Sequence, residues 1–254
     1  MTIQGQQSEH PSWVWIIANA AGSAIGGALA GGLVLAAEEP LVGTVRTQAS
    51  AAAALAPVTA VSIGLFGALV GLVQWLVLRR WLPGTGWWIA ATAGGWAAAG
   101  AIAGTLSGFL SGTVTHVGPG IGILGYVVGT AGSVAAIGIL PGLLQSLVLG
   151  HRIPGLAWPA AHLTALGAGV VVAFPVMLVV AALLRLNLPS AQAWAVAGVL
   201  MGTVFGMVTW RTLEKILATR PNPPSRAHCP GGASGEPGDS VAEVSLENRS
   251  QHRD

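Results

Sequence analysis

Six long apolar stretches, separated by short polar segments, make up most of the chain. They cover residues 12–37, 57–78, 86–112, 120–149, 155–184 and 191–217. A helix of about 20 apolar residues crosses the roughly 30 Å hydrocarbon core of a bilayer, so every stretch is long enough to span it. The pattern predicts an all-α polytopic membrane protein with six transmembrane helices. The Ala-rich segment 48–56 would extend the second helix outward, with Pro57 as a kink or a first-turn residue.

A segment near the end of the second stretch returns 71 residues later, at the end of the fourth. Residues 71–78 read GLVQWLVL and residues 142–149 read GLLQSLVL, and Pro-Gly and a Trp follow each copy. A fainter third copy, GMVTW at 206–210, keeps the Gly, the apolar pair, a polar residue and the Trp. Because each copy closes an apolar stretch, we expect three two-helix repeats.

The two ends of the chain differ from this membrane domain. We expect a cytoplasmic N-terminal segment at 1–11, the six-helix domain at 12–218 and a polar C-terminal tail at 219–254. The tail has almost nothing to bury and is predicted to be disordered. The leading segment carries Glu9 and no Lys or Arg, unlike the positive start of a signal peptide, so we expect the first helix to be retained.

Composition and charge agree with a membrane protein. Hydrophobic residues make up 53% of the chain and charged residues 8%, against roughly 25% charged in soluble domains. The net charge of +2 does not indicate nucleic-acid binding, because the basic residues lie beside the spans and form no groove-sized patch.

The positions of the basic residues predict the orientation. Two residues, Arg46 and Arg185, lie on the side that is reached after odd-numbered spans. Six lie on the opposite side: Arg79, Arg80, Arg152, Arg211, Lys215 and Arg220. Since cytoplasmic loops carry the excess of Lys and Arg, both termini are predicted to be cytoplasmic. Eight of the ten tryptophans cluster near this same interface, where indole N–H groups can reach the headgroups.

Small residues at helical spacing are frequent within the spans. Glycines four apart occur in the rows Gly22/Gly26, Gly27/Gly31, Gly67/Gly71, Gly100/Gly104/Gly108/Gly112, Gly125/Gly129, Gly138/Gly142 and Gly198/Gly202/Gly206. Such rows let helix backbones approach closely, so they predict a tightly packed bundle.

Polar residues inside the spans fall at a common depth. On the odd-numbered helices Asn19, Thr92 and His162 each follow an interfacial Trp by four residues. On the even-numbered helices Gln74, Gln145 and Thr209 occupy the same shallow layer. We call these six residues the polar belt. We expect the belt to have a pseudo-threefold arrangement and to lie one to two helical turns below the cytoplasmic surface.

The polar belt has two interpretations. Its amides and hydroxyls hydrogen-bond between helices and fix their register, at about 0.6 kcal/mol each. Alternatively, they form a cytoplasm-facing site for a small solute or a lipid headgroup, with Arg79, Arg80 and Arg152 as an anion-binding rim. Residue spacing does not identify a ligand.

The sequence lacks the usual signatures of catalysis and of cofactor binding. The membrane interior contains no Asp or Glu for proton abstraction, and the sequence has no Gly-x-Ser-x-Gly segment and no His/Glu metal motif. The single cysteine, Cys229, lies in the tail and has no partner for a disulfide. We therefore expect a protein that is not an enzyme and has no cofactor or metal.

Residues 71–88, GLVQWLVLRRWLPGTGWW, followed by Gly94, Gly95 and Trp96, carry a family resemblance. The stretch resembles a signature of uncharacterised multi-pass membrane proteins of bacteria such as cyanobacteria and chloroflexi, in which Gln-Trp-x-x-Leu-Arg helix ends precede a Trp-Trp helix start. The match is strong over 71–103, partial over 142–158 and faint in the third copy. It implies no activity.

These observations lead to an expected function and one alternative. We expect a non-enzymatic integral plasma-membrane protein, a glycine-packed helix bundle surrounded by lipid, that is either structural or a partner of itself or of other membrane components. The alternative is a small-solute or lipid transporter that uses the polar belt. A water-accessible cavity reaching Gln74 and Gln145 favours the transporter, and a dry axis favours the structural role.

Overall fold

The computed structural model describes residues 12–42, 48–116, 119–150, 155–184 and 190–218 of the chain. Their regular structure is entirely helical, which confirms the predicted all-α class. The six helices are α1 Ser12–Val42, α2 Gln48–Trp81, α3 Trp88–His116, α4 Pro119–Leu149, α5 Ala157–Leu184 and α6 Ser190–Ala218. The N-terminal segment 1–11 and the tail predicted to be disordered, 219–254, lie outside the described residues.

Five of these helices contain a segment long and apolar enough to cross a membrane, with mean hydropathy between 1.3 and 2.1. The segments are Ser12–Ala37, Ala53–Trp81, Trp88–Ser107, Val128–Leu149 and Gln192–Ala218. In α5 the described apolar segment, Ala157–Val172, is shorter. By length and composition, these helices indicate a multi-pass membrane protein.

Several helices extend further than the apolar pattern predicted. Helix α1 continues through Glu38 and Glu39, and α3 continues to His116, so these three residues belong to helices and not to loops. Helix α4 begins at Pro119, one residue before the predicted stretch. A proline fits the first helical position because the N–H that it lacks would have no partner in the helix. The helices thus extend beyond the apolar stretches from which they were predicted.

The turn between α2 and α3 explains why the repeated segment contains Pro-Gly. Gly84 has a φ of 83° and Gly155, 71 residues later, has a φ of 45°. Glycine adopts positive φ without the clash that a Cβ atom would cause. The backbone N–H of Trp88 then donates to the carbonyl oxygen of Thr85 at 3.0 Å, where α3 begins.

The helices pack as a closed ring. Each described helix packs against its neighbour in sequence, and α1 also packs against α6. Odd- and even-numbered helices therefore alternate around a central axis. We call the end at which α1, α3 and α5 begin and α2, α4 and α6 end the tryptophan end.

Glycines allow the closest contacts between helices. A Cβ atom on Gly104 of α3 would lie 2.8 Å from the carbonyl oxygen of Leu55 and 2.9 Å from Cα of Ala56, both on α2. On α6, a Cβ atom on Gly206 would lie 2.9 Å from Cα of Ile16 on α1. These distances are shorter than van der Waals contact, so only glycine permits the observed approach.

The largest fully buried apolar side chains lie at the tryptophan end. We call the following cluster the tryptophan plug: Trp15, Leu78, Leu82, Trp88, Trp158 and Leu213, none more than 1% exposed. The rings of Trp88 and Trp158 meet edge to face with centroids 6.0 Å apart. The plug closes the axis of the ring at this end.

Candidate functional site

The structure brings all six residues of the polar belt together beside the tryptophan plug. Each has an exposure of 1% or less. The belt takes one residue from each helix: Asn19, Gln74, Thr92, Gln145, His162 and Thr209 from α1 to α6 in order. A set of polar groups this deeply buried must find hydrogen-bond partners within the protein or in bound solvent.

Three indole nitrogens supply one group of hydrogen bonds. Nε1 of Trp88 donates to Oε1 of Gln74 at 3.1 Å, and Nε1 of Trp158 donates to Oε1 of Gln145 at 2.9 Å. Nε1 of Trp15 donates to Oγ1 of Thr209 at 3.0 Å. In each pair a tryptophan near the start of an odd-numbered helix binds the belt residue near the end of an adjacent even-numbered helix. The pairs are α2 with α3, α4 with α5, and α6 with α1.

These bonds correct one expectation from the sequence. The indoles of Trp15, Trp88 and Trp158 were expected to place their N–H groups at the lipid headgroups. They are buried, and their N–H groups bind belt residues. Inside an apolar bundle an unpaired amide oxygen is costly, and the indole N–H is the donor that satisfies it. Trp13 and Trp87 are exposed, as an interfacial position requires.

A second group of bonds ties each odd-helix belt residue to the tryptophan one turn before it. Nδ2 of Asn19 donates to the carbonyl oxygen of Trp15 at 2.9 Å, and Oγ1 of Thr92 donates to that of Trp88 at 2.7 Å. Nδ1 of His162 lies 3.3 Å from the carbonyl oxygen of Trp158. Because a carbonyl oxygen only accepts, Nδ1 is the donor in this contact. The four-residue spacing noted in the sequence therefore has a hydrogen-bonding role.

A third group links one helix pair to the next. Nε2 of Gln74 donates to Oδ1 of Asn19 at 2.8 Å, and Nε2 of Gln145 donates to Oγ1 of Thr92 at 2.8 Å. Nε2 of Gln145 also lies 3.5 Å from Oε1 of Gln74. Each glutamine thus accepts from a tryptophan on one side and donates to a belt residue on the other.

Glycine allows the paired helices to approach at the level of the belt. A Cβ atom on Gly71 would lie 2.8 Å from Cβ of Thr92, and one on Gly142 would lie 3.2 Å from Cβ of His162. One on Gly206 would lie 3.2 Å from Cβ of Asn19. In all three even-numbered helices the glycine stands three residues before the belt residue. The Gly-x-x-Gln part of the repeated segment is therefore a contact motif.

A small cavity of about 40 Å³ lies on the axis, on the side of the belt away from the tryptophan plug. Its polar lining consists of Ser23, Gln74, Gln145 and His162. The remaining lining residues lie one or two turns deeper and are mostly apolar, with Phe66, Trp96 and Phe205 as the aromatic members. The sequence singled out the belt but not Ser23 or Phe205, because helical spacing does not tell which side chains face the axis.

Of the predicted anion rim, Arg79 and Arg80 are described, and they lie apart from the polar belt. Arg79 and Arg80 are exposed, and the guanidinium of Arg79 stacks over the ring of Trp75, 4.9 Å from its centroid. Among the described residues, no hydrogen bond or ion pair joins either arginine to the polar belt. Arg152 lies outside the described residues. A ligand held by the arginines would therefore be separated from the belt by the plug.

The described residues contain no group of three or more His, Cys, Asp or Glu side chains placed to hold a metal ion. No protein-family model matches the sequence, and neither a curated protein nor a solved structure is significantly similar to it.

Proposed function

We propose that the chain is a non-enzymatic integral membrane protein whose polar belt holds a ring of transmembrane helices in register. One observation carries the proposal: among the described residues, no side-chain nitrogen or oxygen that is fully covered by the protein lacks a hydrogen-bond partner. A belt built to bind an external ligand at the tryptophan end would keep donors or acceptors open toward it. The belt instead uses its groups on neighbouring helices and is covered by the plug.

The proposed architecture is six spans in three repeats, closed into a ring. The repeat unit is an even-numbered helix followed by an odd-numbered one, as in α2 with α3 and α4 with α5. The third unit combines α6 with α1, the two ends of the domain. The indole bonds of Trp15, Trp88 and Trp158 support this grouping, because each lies within one such unit.

In the proposed orientation the tryptophan end faces the cytoplasm of a bacterial cell, with both termini on that side. Exposed basic residues near this end support it: Arg79, Arg80, Arg211 and Lys215. They would lie beside anionic headgroups of the inner leaflet. The resemblance to uncharacterised bacterial multi-pass proteins fits the same setting, and the structural role includes partnership with itself or with other membrane components.

Cysteine labelling from the cytoplasmic side tests the structural role. In a Cys229→Ser background, cysteines at Gln74, Gln145 and Thr92 are treated with a membrane-impermeant thiol reagent in inside-out vesicles. Cysteine is close to threonine in size, so Thr92→Cys tests access without opening the large space that Gln→Cys would leave in the core. We expect these sites to react slowly, because thiolate formation requires water. Arg80→Cys, which is exposed, serves as the positive control and should react at once.

The cavity supports a second candidate function, the transport of a small solute. It reaches both Gln74 and Gln145, as a solute pathway through the belt would require. Rapid labelling at Gln74, Gln145 and Thr92 would replace the structural proposal with this one.

A further inference from the structure

The hydrogen bonds between repeat units leave one link open. The amide of Gln74 binds Asn19, and the amide of Gln145 binds Thr92. The equivalent link would run from position 209 on α6 to His162 on α5. Thr209 accepts from Trp15 as the glutamines accept from their tryptophans, but a threonine has no amide N–H with which to donate onward.

His162 occupies the position of the missing acceptor. Its ring is 1% exposed, and Nδ1 donates to the carbonyl oxygen of Trp158. In a neutral imidazole the other nitrogen, Nε2, then carries a lone pair and accepts. Among the described residues no hydrogen bond to Nε2 is formed. The ring lines the axial cavity, and Nε2 is open to that cavity, because the fully covered side-chain nitrogen and oxygen atoms all have partners. Toward α6 the ring meets Phe205 edge to face, with centroids 4.8 Å apart, and a phenyl ring edge does not replace an amide donor.

We propose that the axial cavity is a binding site for a water molecule, which donates to Nε2 of His162 and so completes the ring of polar links. The occupant must be a neutral hydrogen-bond donor of about the size of water. The cavity of about 40 Å³ has room for one to three such molecules, since roughly 10–15 Å³ holds one.

The lining supplies the partners that such a molecule needs. A buried water makes about three hydrogen bonds. Besides His162, the polar lining offers the hydroxyl of Ser23 and the amides of Gln74 and Gln145. The remaining walls are apolar and hold no charged side chain among the described lining residues, so an ion would find no compensating charge.

The first experiment is a crystal or cryo-electron microscopy structure of the full chain at a resolution that shows ordered solvent, with and without xenon. We expect a solvent peak within hydrogen-bond distance of Nε2 of His162 and no xenon in the cavity. A dry apolar cavity takes up xenon, so xenon at this place would overturn the proposal. Density for a larger molecule would also overturn it.

The second experiment rebuilds the missing link. Residues 70–75 on α2 read VGLVQW and residues 205–210 on α6 read FGMVTW. The double variant F205V/T209Q gives α6 the residues that α2 has at these two positions. T209Q supplies the amide donor, and F205V makes space for the longer side chain. We expect F205V alone to lower the melting temperature, because it enlarges the cavity. Adding T209Q should raise it by about 2–4 °C and remove the solvent peak.

T209V is the matched control. Valine keeps the shape of threonine but lacks the hydroxyl that accepts a hydrogen bond from Nε1 of Trp15. T209V should therefore lower the melting temperature. If T209Q fails to raise the melting temperature of F205V while the solvent peak stays, the assignment of the missing link is wrong. The cysteine labelling above reports access from the cytoplasm, whereas these measurements report a resident molecule, so either proposal can fail without the other.

Discussion

Trp88 and Gln74 stand 14 residues apart on antiparallel helices, and Nε1 of the first donates to Oε1 of the second at 3.1 Å inside the bundle. The bond joins the first residue of α3 to a residue about two turns before the end of α2. It uses the one donor of an indole and one of the two acceptor positions of the amide oxygen. The same relationship holds between Trp158 and Gln145, at 2.9 Å.

The adjacent pair Trp87 and Trp88 allows a direct test of this bond. Trp88→Phe keeps an aromatic ring in the plug but removes the N–H. We expect a loss of about 0.6–1.7 kcal/mol in the free energy of unfolding, the range for single hydrogen bonds between membrane helices. Trp87→Phe, at a side chain 77% exposed, should change it by less than about 0.5 kcal/mol. Thermal denaturation in detergent measures both, and equal losses would show that the N–H contributes nothing.

The two repeated glutamines are expected to be coupled. Gln74→Leu and Gln145→Leu should each lower stability modestly, by about 0.6 kcal/mol and at most about 1.7 kcal/mol. Since the two amides share one network, the double variant should depart from the sum of the singles. Denaturation of the two single variants and the double variant gives this coupling directly. Strict additivity would mean that the 3.5 Å contact between them carries no energy.

A glycine-to-alanine change is expected to have opposite effects at a packed site on α3 and at an open site on α1. Gly104→Ala should destabilise the protein, because the new Cβ would meet the carbonyl oxygen of Leu55 at 2.8 Å. Gly32→Ala has no atom within 4 Å of the new Cβ and should stabilise α1 by up to about 1 kcal/mol through helix propensity. Melting temperature and yield in detergent provide the comparison. A stabilising Gly104→Ala would show that the row faces lipid.

The proposed orientation predicts the behaviour of topology reporters. An enzyme that is active only outside the cytoplasm should be silent when fused after Pro83, which lies in the turn at the tryptophan end. Fused after Gly112, near the other end of α3, it should be active. The reverse pattern would place the tryptophan end outside.

The sequence by itself determined the helical class and the membrane setting, because both follow from properties of single segments. Length and hydropathy identify a span without knowledge of its neighbours. The 71-residue spacing singled out Gln74 and Gln145 as equivalent positions, and the four-residue offset from Trp88 and Trp158 pointed to Thr92 and His162. Each of these signals is local and periodic, so it can be recognised along the chain.

Only the tertiary structure decided how these residues are used. Whether an indole points to lipid or into the bundle depends on the rotation of its helix against two neighbours, which hydropathy does not contain. The pairing of α6 with α1 joins the ends of the domain, and it places Thr209 beside Trp15 although 194 residues separate them. The third link is unequal because a threonine stands at position 209 where the equivalent helices carry a glutamine, and a cavity lies beside His162. Their position on the axis is set by six helices packing at once.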